Sequence, residues 1–129
     1  MTKVFFVFLG SGIGGAARYG VNVWSLKAFG AQFPAGTFIV NVAGGLAMGL
    51  IAGWLAFRAQ MPWSQELRLF LTTGLLGGFT TFSAFSLEVA LMIERRQLPQ
   101  AFGYSLLSVL ASVAALFAGL MLARRVLAA

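Results

Sequence analysis

Hydrophobic positions form four long blocks along the chain, each about as long as the ~20 helical residues that cross a bilayer core. The blocks run roughly from Val4 to Trp24, Thr37 to Phe57, Leu67 to Ile93 and Gln100 to Ala123. Short connections at residues 30–34, 60–62 and 94–99 make neighbouring blocks antiparallel. The pattern predicts an all-α membrane protein with four transmembrane helices in one domain, residues 1–129.

The third block is interrupted by polar residues and glycines. Between Thr72 and Ser86 it contains three glycines and six hydroxyl side chains. Backbone opened at membrane depth is tolerated where it is buried in protein or lines a watery cavity. We therefore expect a broken third helix that forms part of a permeation or binding site. Backbone carbonyls around Gly77 and Thr80 could then bind a monovalent cation, although neighbouring helices or water could satisfy them equally.

Polar side chains occur in two other blocks. Asn41, in the second block, offers amide donors to a ligand or to another helix, and the residue alone does not separate these alternatives. Tyr104, Ser108 and Ser112 are spaced by four and predict one polar stripe on the fourth helix. A single serine could instead bond the carbonyl four residues earlier.

Aromatic residues accompany the interruption. Phe79, Phe82 and Phe85 share a face if their segment is helical. Phenylalanine in a membrane helix usually packs against its neighbours, but its positive ring edge can also meet a small anion. Such weak, repeated contacts suit conduction.

Charged residues are few and lie mainly near the predicted helix ends. Arg18 could add positive potential at a pore mouth or extend to the membrane interface. The three carboxylates, Glu66, Glu88 and Glu94, lie away from the middle of the predicted helices, so no midplane acid is available for proton-coupled export.

Composition supports the membrane assignment. Hydrophobic residues make up 60% of the 129 positions, charged residues make up 9%, and mean hydropathy is +0.90, so a separate soluble domain does not fit. The net charge of +6 is spread over helix ends, and we expect no nucleic acid partner. The chain has no cysteine or histidine, which excludes disulfides, thiolate chemistry and the usual zinc sites.

The basic residues specify membrane orientation weakly. One predicted side carries Lys3, Arg58, Arg68, Arg124 and Arg125, and the other carries Lys27, Arg95, Arg96 and, if it lies near the end of its helix, Arg18. Counts this similar permit insertion in both orientations, unless one or two arginines dominate.

Glycines four apart, such as Gly10 and Gly14, allow close helix contact. Four thin helices barely enclose a pore, so a site shared between subunits is expected.

The chain resembles the Fluc (CrcB) family of fluoride channels over essentially its whole length. The resemblance rests on Gly12-Ile13-Gly14-Gly15-Ala16-Ala17-Arg18-Tyr19, on Gly36-Thr37 through Val40-Asn41 to Gly44-Gly45 and, most strongly, on Thr73 to Glu88. It implies a four-helix subunit that pairs with an inverted copy of itself. The antiparallel homodimer would contain two pores that passively export fluoride across the bacterial inner membrane.

The resemblance also implies residue roles. Phe82, Phe85 and Asn41 correspond to pore residues; Tyr104, Ser108 and Ser112 correspond to a polar track; and Arg18 corresponds to the arginine of the first helix. The backbone carbonyls of Gly77 and Thr80 correspond to ligands of a structural sodium ion at the dimer centre. Leu116 stands where the track would continue, so one further hydroxyl is missing.

We therefore expect a channel rather than an enzyme. A small multidrug transporter would need a carboxylate in the first helix, and residues 4–24 contain none. A non-transporting membrane assembly subunit is the remaining alternative, and flux through the purified protein would distinguish it.

Overall fold

The computed structural model describes residues 1–56, 62 and 64–128, and their regular structure is helical. The elements are α1 (Thr2–Phe29), α2 (Ala35–Ala56), α3 (Ser64–Arg68), a π-helix (Leu69–Leu76), α4 (Gly77–Phe79), α5 (Ser83–Glu94) and α6 (Leu98–Ala128).

Four helical segments in the described part of the chain are long and apolar enough to cross a membrane. They are Thr2–Phe29, Ala35–Ala56, Ser64–Glu94 and Leu98–Leu127. Each overlaps one predicted block. The predicted end of the second block, Phe57, and the basic residue Arg58 lie outside the described residues.

Glycines bring two pairs of helices into backbone contact. α2 packs along α6, and a Cβ at Gly49 would collide with the carbonyl oxygen of Leu116. α1 packs against the π-helix and α4, and a Cβ at Gly14 would collide with the carbonyl oxygen of Leu75. Because lipid is as apolar as leucine, such close van der Waals packing is a main source of attraction between membrane helices.

The third apolar segment changes conformation four times. It passes from α3 into the π-helix, and α4 then ends at Phe79. Thr80 is extended, with φ −84° and ψ 160°, and α5 begins at Ser83. Because Thr80 is extended, the helical spacing that would align Phe79 with Phe82 does not apply. Only Phe82 and Phe85 lie side by side, with ring centroids 5.6 Å apart, so the expected three-ring face is wrong for Phe79.

Candidate functional site

A cavity of about 390 Å³ lies between α2, α6 and the non-helical residues 80–82. Its polar and aromatic lining comprises Asn41, Thr80, Thr81, Phe82, Phe85, Ser108 and Ser112. The remaining described residues that line it are glycines or apolar residues, including Leu116, and none is charged. The cavity therefore offers hydroxyl groups, an amide and aromatic rings without a fixed counter-ion.

Asn41 braces the non-helical segment. Its Nδ2 donates to the carbonyl oxygen of Thr81 at 3.0 Å, and its Oδ1 accepts from the Thr81 N–H at 2.9 Å. Both backbone groups of Thr81 are thus satisfied by one side chain from α2. An amide nitrogen carries two protons, so the second N–H of Asn41 remains for the cavity.

Two backbone N–H groups of the interruption do not make their usual helical bonds. In a continuous α-helix the Thr81 N–H would bond the carbonyl of Gly77, and the Ala84 N–H would bond that of Thr80. Here the Thr81 N–H bonds Asn41, and the Ala84 N–H bonds the Oγ1 of Thr81 at 3.1 Å. The carbonyls of Gly77 and Thr80 therefore lose their usual helical donors.

Ser108 is a buried hydroxyl without a partner. Its side chain is 6% exposed and lines the cavity, and its Oγ has no hydrogen-bond partner among the described residues. The alternative of bonding the carbonyl four residues earlier is therefore not adopted. A buried polar atom left unpaired costs roughly 1–3 kcal/mol, so a ligand or water acceptor is expected there.

The two cavity phenylalanines differ in exposure. Phe82 is 77% exposed in the single chain, whereas Phe85 is partly buried and lies 5.2 Å from the ring of Tyr104. Phe82 therefore presents most of its ring outward from this subunit.

Tyr104 lies beside this cavity and takes part in a second polar cluster. Its hydroxyl donates to Oε1 of Glu88 at 2.8 Å, and the hydroxyl of Thr37 donates to Oε2 of Glu88 at 2.7 Å. The three residues join α2, α5 and α6. Two hydrogen bonds to a carboxylate reduce the cost of holding it between membrane helices.

Arg18 lies at the interruption but not among the residues that line the cavity. Its Nε donates to the carbonyl oxygen of Gly78 at 3.0 Å. Arg18 therefore satisfies a carbonyl near the end of α4, rather than extending freely to the interface.

Sequence analysis alone missed Thr37 and Glu88 as parts of the site, and it gave Thr81 no role beyond its place among the hydroxyl residues 72–86. Glu88 carried the clearest signal, because an acid within an apolar stretch usually marks a functional or paired position. Thr37 carried no such signal, since an isolated threonine in a membrane helix commonly bonds its own backbone.

The family resemblance is confirmed by comparison with known proteins. A family model described as CrcB-like protein, Camphor Resistance (CrcB), matches residues 5–120. The chain is 56% identical over 126 residues to the fluoride-specific ion channel FluC of Caulobacter sp. (strain K31), covering 98% of each chain. It is 60% identical over 114 residues to a protein of the same name from Methylobacterium sp. (strain 4-46), covering 88% of this chain and 90% of the relative. A third protein of that name, from Caulobacter vibrioides (strain NA1000 / CB15N), is 52% identical over 128 residues and is matched along its entire length. With matches that span nearly the whole chain, this protein belongs to the CrcB family of multi-pass membrane proteins.

Proposed function

We propose that this chain is the subunit of a fluoride-selective channel that carries fluoride passively out across the bacterial inner membrane. Family membership and the names of the relatives support fluoride as the ion. The observation that carries the proposal is the uncharged cavity of about 390 Å³, lined by hydroxyls, an amide and two phenylalanine rings.

The chemistry of this cavity suits a small anion. Hydroxyl and amide protons can replace part of the ion's hydration shell, and ring edges can present the positive end of their quadrupole. No lysine or arginine among the described lining residues would trap the ion. Conduction requires sites that bind strongly enough for entry but weakly enough for release.

Ser108 has the clearest part in this path. Its buried hydroxyl lacks a protein acceptor and the residue lines the cavity, so its proton would be available to an anion that enters. Ser112 lies one helical turn further and also lines the cavity. The two serines would then provide successive contacts along α6.

The functional unit in this proposal is an antiparallel homodimer with two pores. Phe82 is 77% exposed, so a path that uses its ring needs a second chain to cover it. Residues 64–94 would cross the membrane as one interrupted helix and bring residues 80–82 to the pore. The nearly balanced basic residues support insertion of the subunit in both orientations.

A structural sodium ion at the dimer centre is part of the same proposal. The backbone carbonyls of Gly77 and Thr80 fit this role because their usual helical donors are engaged elsewhere. Exposed carbonyl oxygens are suitable ligands for a sodium ion in a membrane protein. When bound, the ion would supply positive charge that holds the interrupted segments together.

Fluoride efflux from liposomes containing the pure protein tests the proposal. We expect efflux from the wild type and a strong reduction in Phe82→Ile and Phe85→Ile, because aliphatic side chains lack polar ring edges. Folded protein in vesicles that retain fluoride would overturn the proposed function. Unchanged flux in both variants would remove only the role of the rings.

The Ser108 contact needs its own pair of variants. Ser108→Ala should lower fluoride flux at least about tenfold, because a hydrogen bond to a charged ion, worth about 1.5–3 kcal/mol, is lost. Ser108→Thr keeps the hydroxyl and should retain most of the flux. Equal flux in the two variants would contradict the proposed contact.

A further inference from the structure

Two further cavities lie at the Tyr104 end of the bundle and share a wall. Their volumes are about 370 and 930 Å³. Both are lined by Gln32, Phe33, Arg95 and Gln97, which come from the loop after α1 and the turn after α5. Phe33 packs edge-on against Tyr104, with ring centroids 5.5 Å apart. The two cavities are therefore the two sides of one opening.

Both cavities reach the same polar cluster. Glu88 lines the smaller cavity and Tyr104 lines the larger one, and the two side chains are hydrogen-bonded to each other at 2.8 Å. The ring of Tyr104 lies 5.2 Å from that of Phe85, which lines the proposed pore cavity. The shared opening therefore adjoins the proposed pore cavity across the contact between Phe85 and Tyr104.

Arg95 is held at this opening by the way α5 ends. The Gln97 N–H bonds the carbonyl of Met92 at 2.8 Å, and the Arg96 N–H bonds that of Ile93 at 3.0 Å. The backbone of Arg96 adopts the left-handed conformation, with φ 59°. These two hydrogen bonds form a Schellman motif, which ends a helix at a left-handed residue. Arg95 lines both cavities, whereas its neighbour Arg96 lines neither.

Electrostatics makes this opening suitable for anions. Among the described residues that line the two cavities, Arg95 has the one cationic side chain. No carboxylate in the described part of the chain forms an ion pair with it. Gln32 and Gln97 add amide donors at the same wall. The carboxylate of Glu88 lines only the smaller cavity, where it already accepts two hydroxyl protons, and no carboxylate is among the described residues that line the larger cavity.

We propose that Arg95, with Gln32 and Gln97, forms an anion-collecting site for hydrated fluoride at the Tyr104 end of the pathway. This inference rests on the proposed channel function. A unit charge about 5 Å from a monovalent anion in water-like surroundings raises the local anion concentration about fourfold. The site would therefore raise flux when fluoride is scarce and have little effect when the pathway is saturated.

Fluoride efflux from neutral-lipid vesicles, at fluoride concentrations far below saturation, tests this site. At low ionic strength Arg95→Gln should lower the initial rate about fourfold, whereas Arg95→Lys should retain most of it. The difference should disappear at about 1 M of a large organic-anion salt, where charges are screened beyond ~3 Å. Maximal flux at saturating fluoride should be unchanged.

Arg96→Gln is the matched control, because it removes the same charge from the next residue. If the position of the charge matters, Arg96→Gln should leave the initial efflux rate unchanged. If the arginines act only by anchoring the protein to lipid headgroups, the two variants should lose the same rate. Gln97→Glu places a negative charge in the same opening and should lower the rate even if Arg95→Gln folds poorly.

Equal losses in the Arg95→Gln and Arg96→Gln variants, or a loss that persists in high salt, would overturn the inference. So would rates for Arg95→Gln and Gln97→Glu that match the wild type. Absence of flux in the wild type would instead overturn the proposed channel function.

Discussion

Side chains around residues 80–82 divide into those that hold the backbone and those that face the cavity. Asn41 and Arg18 bond backbone groups of the interrupted segment, whereas Ser108 presents a hydroxyl without a partner. In hydrocarbon an unpaired backbone group costs several kcal/mol, so an interrupted helix needs such braces. Loss of a brace and loss of a cavity contact should therefore have different effects on stability.

Asn41→Leu should destabilise the protein as well as reduce fluoride flux. The substitution leaves the N–H and carbonyl of Thr81 without their partners, at a cost of roughly 1–3 kcal/mol for each. Thermal unfolding in detergent measures the effect. Ser112→Ala, which changes the cavity lining without removing a brace, should unfold near the wild-type temperature. An unchanged unfolding temperature for Asn41→Leu would show that Asn41 does not act as a brace.

Thr37→Val should lower stability through Glu88. Valine has nearly the shape of threonine but cannot donate to Oε2 of Glu88, so the carboxylate keeps one hydrogen bond instead of two. A lost bond to a charged group costs about 1.5–3 kcal/mol. Thr73→Val, at an exposed position on the π-helix, is the control and should have little effect in the same unfolding assay. Equal unfolding temperatures for the two variants would argue against a stabilising role for the cluster.

Helix pairs in this protein are held close by glycine. The contact of α2 with α6 places the backbone of Gly49 against that of Leu116, so the two helices touch without intervening side chains. These two helices also form two walls of the pore cavity. Their spacing therefore sets the width of the cavity as well as contributing to stability.

Gly49→Ala should separate α2 from α6. The added methyl group would meet the Leu116 carbonyl, and overpacking of this kind costs about 1–3 kcal/mol. Gly103→Ala is the matched control, because a Cβ at Gly103 meets nothing within 4 Å. Unfolding temperatures of the two variants should therefore differ clearly. Equal temperatures would show that α2 can shift without loss of packing energy.

Much of the molecule was predictable from the sequence because bilayer thickness fixes helix length. The four apolar segments follow from that constraint. The bonding of Asn41 to Thr81 was not predictable, because hydropathy carries no information about which backbone group a distant amide will meet. The partners of Glu88 were not predictable either, because Thr37 and Tyr104 reach it from other helices.

The diverted backbone bonds provide a test of the proposed sodium site in the assembled molecule. The Ala84 N–H bonds the hydroxyl of Thr81 and so does not return to the carbonyl of Thr80. Thr81→Ala removes that hydroxyl, which caps the first turn of α5 and helps to hold residues 80–82 in place. The variant should therefore bind sodium more weakly, whereas Thr81→Ser keeps the hydroxyl and serves as its control.

Replacing Na⁺ with a bulky organic cation should lower the unfolding temperature and the dimer fraction of the wild type in detergent. A ligand present at a hundred times its Kd stabilises the state that binds it by about 2.7 kcal/mol, so the shift should be measurable. Thr81→Ser should respond as the wild type does, and Thr81→Ala should respond less because its Thr80 carbonyl is no longer held in place by the capped start of α5. If the wild type unfolds and dissociates identically in both cations, the carbonyls of Gly77 and Thr80 do not hold a stabilising sodium ion.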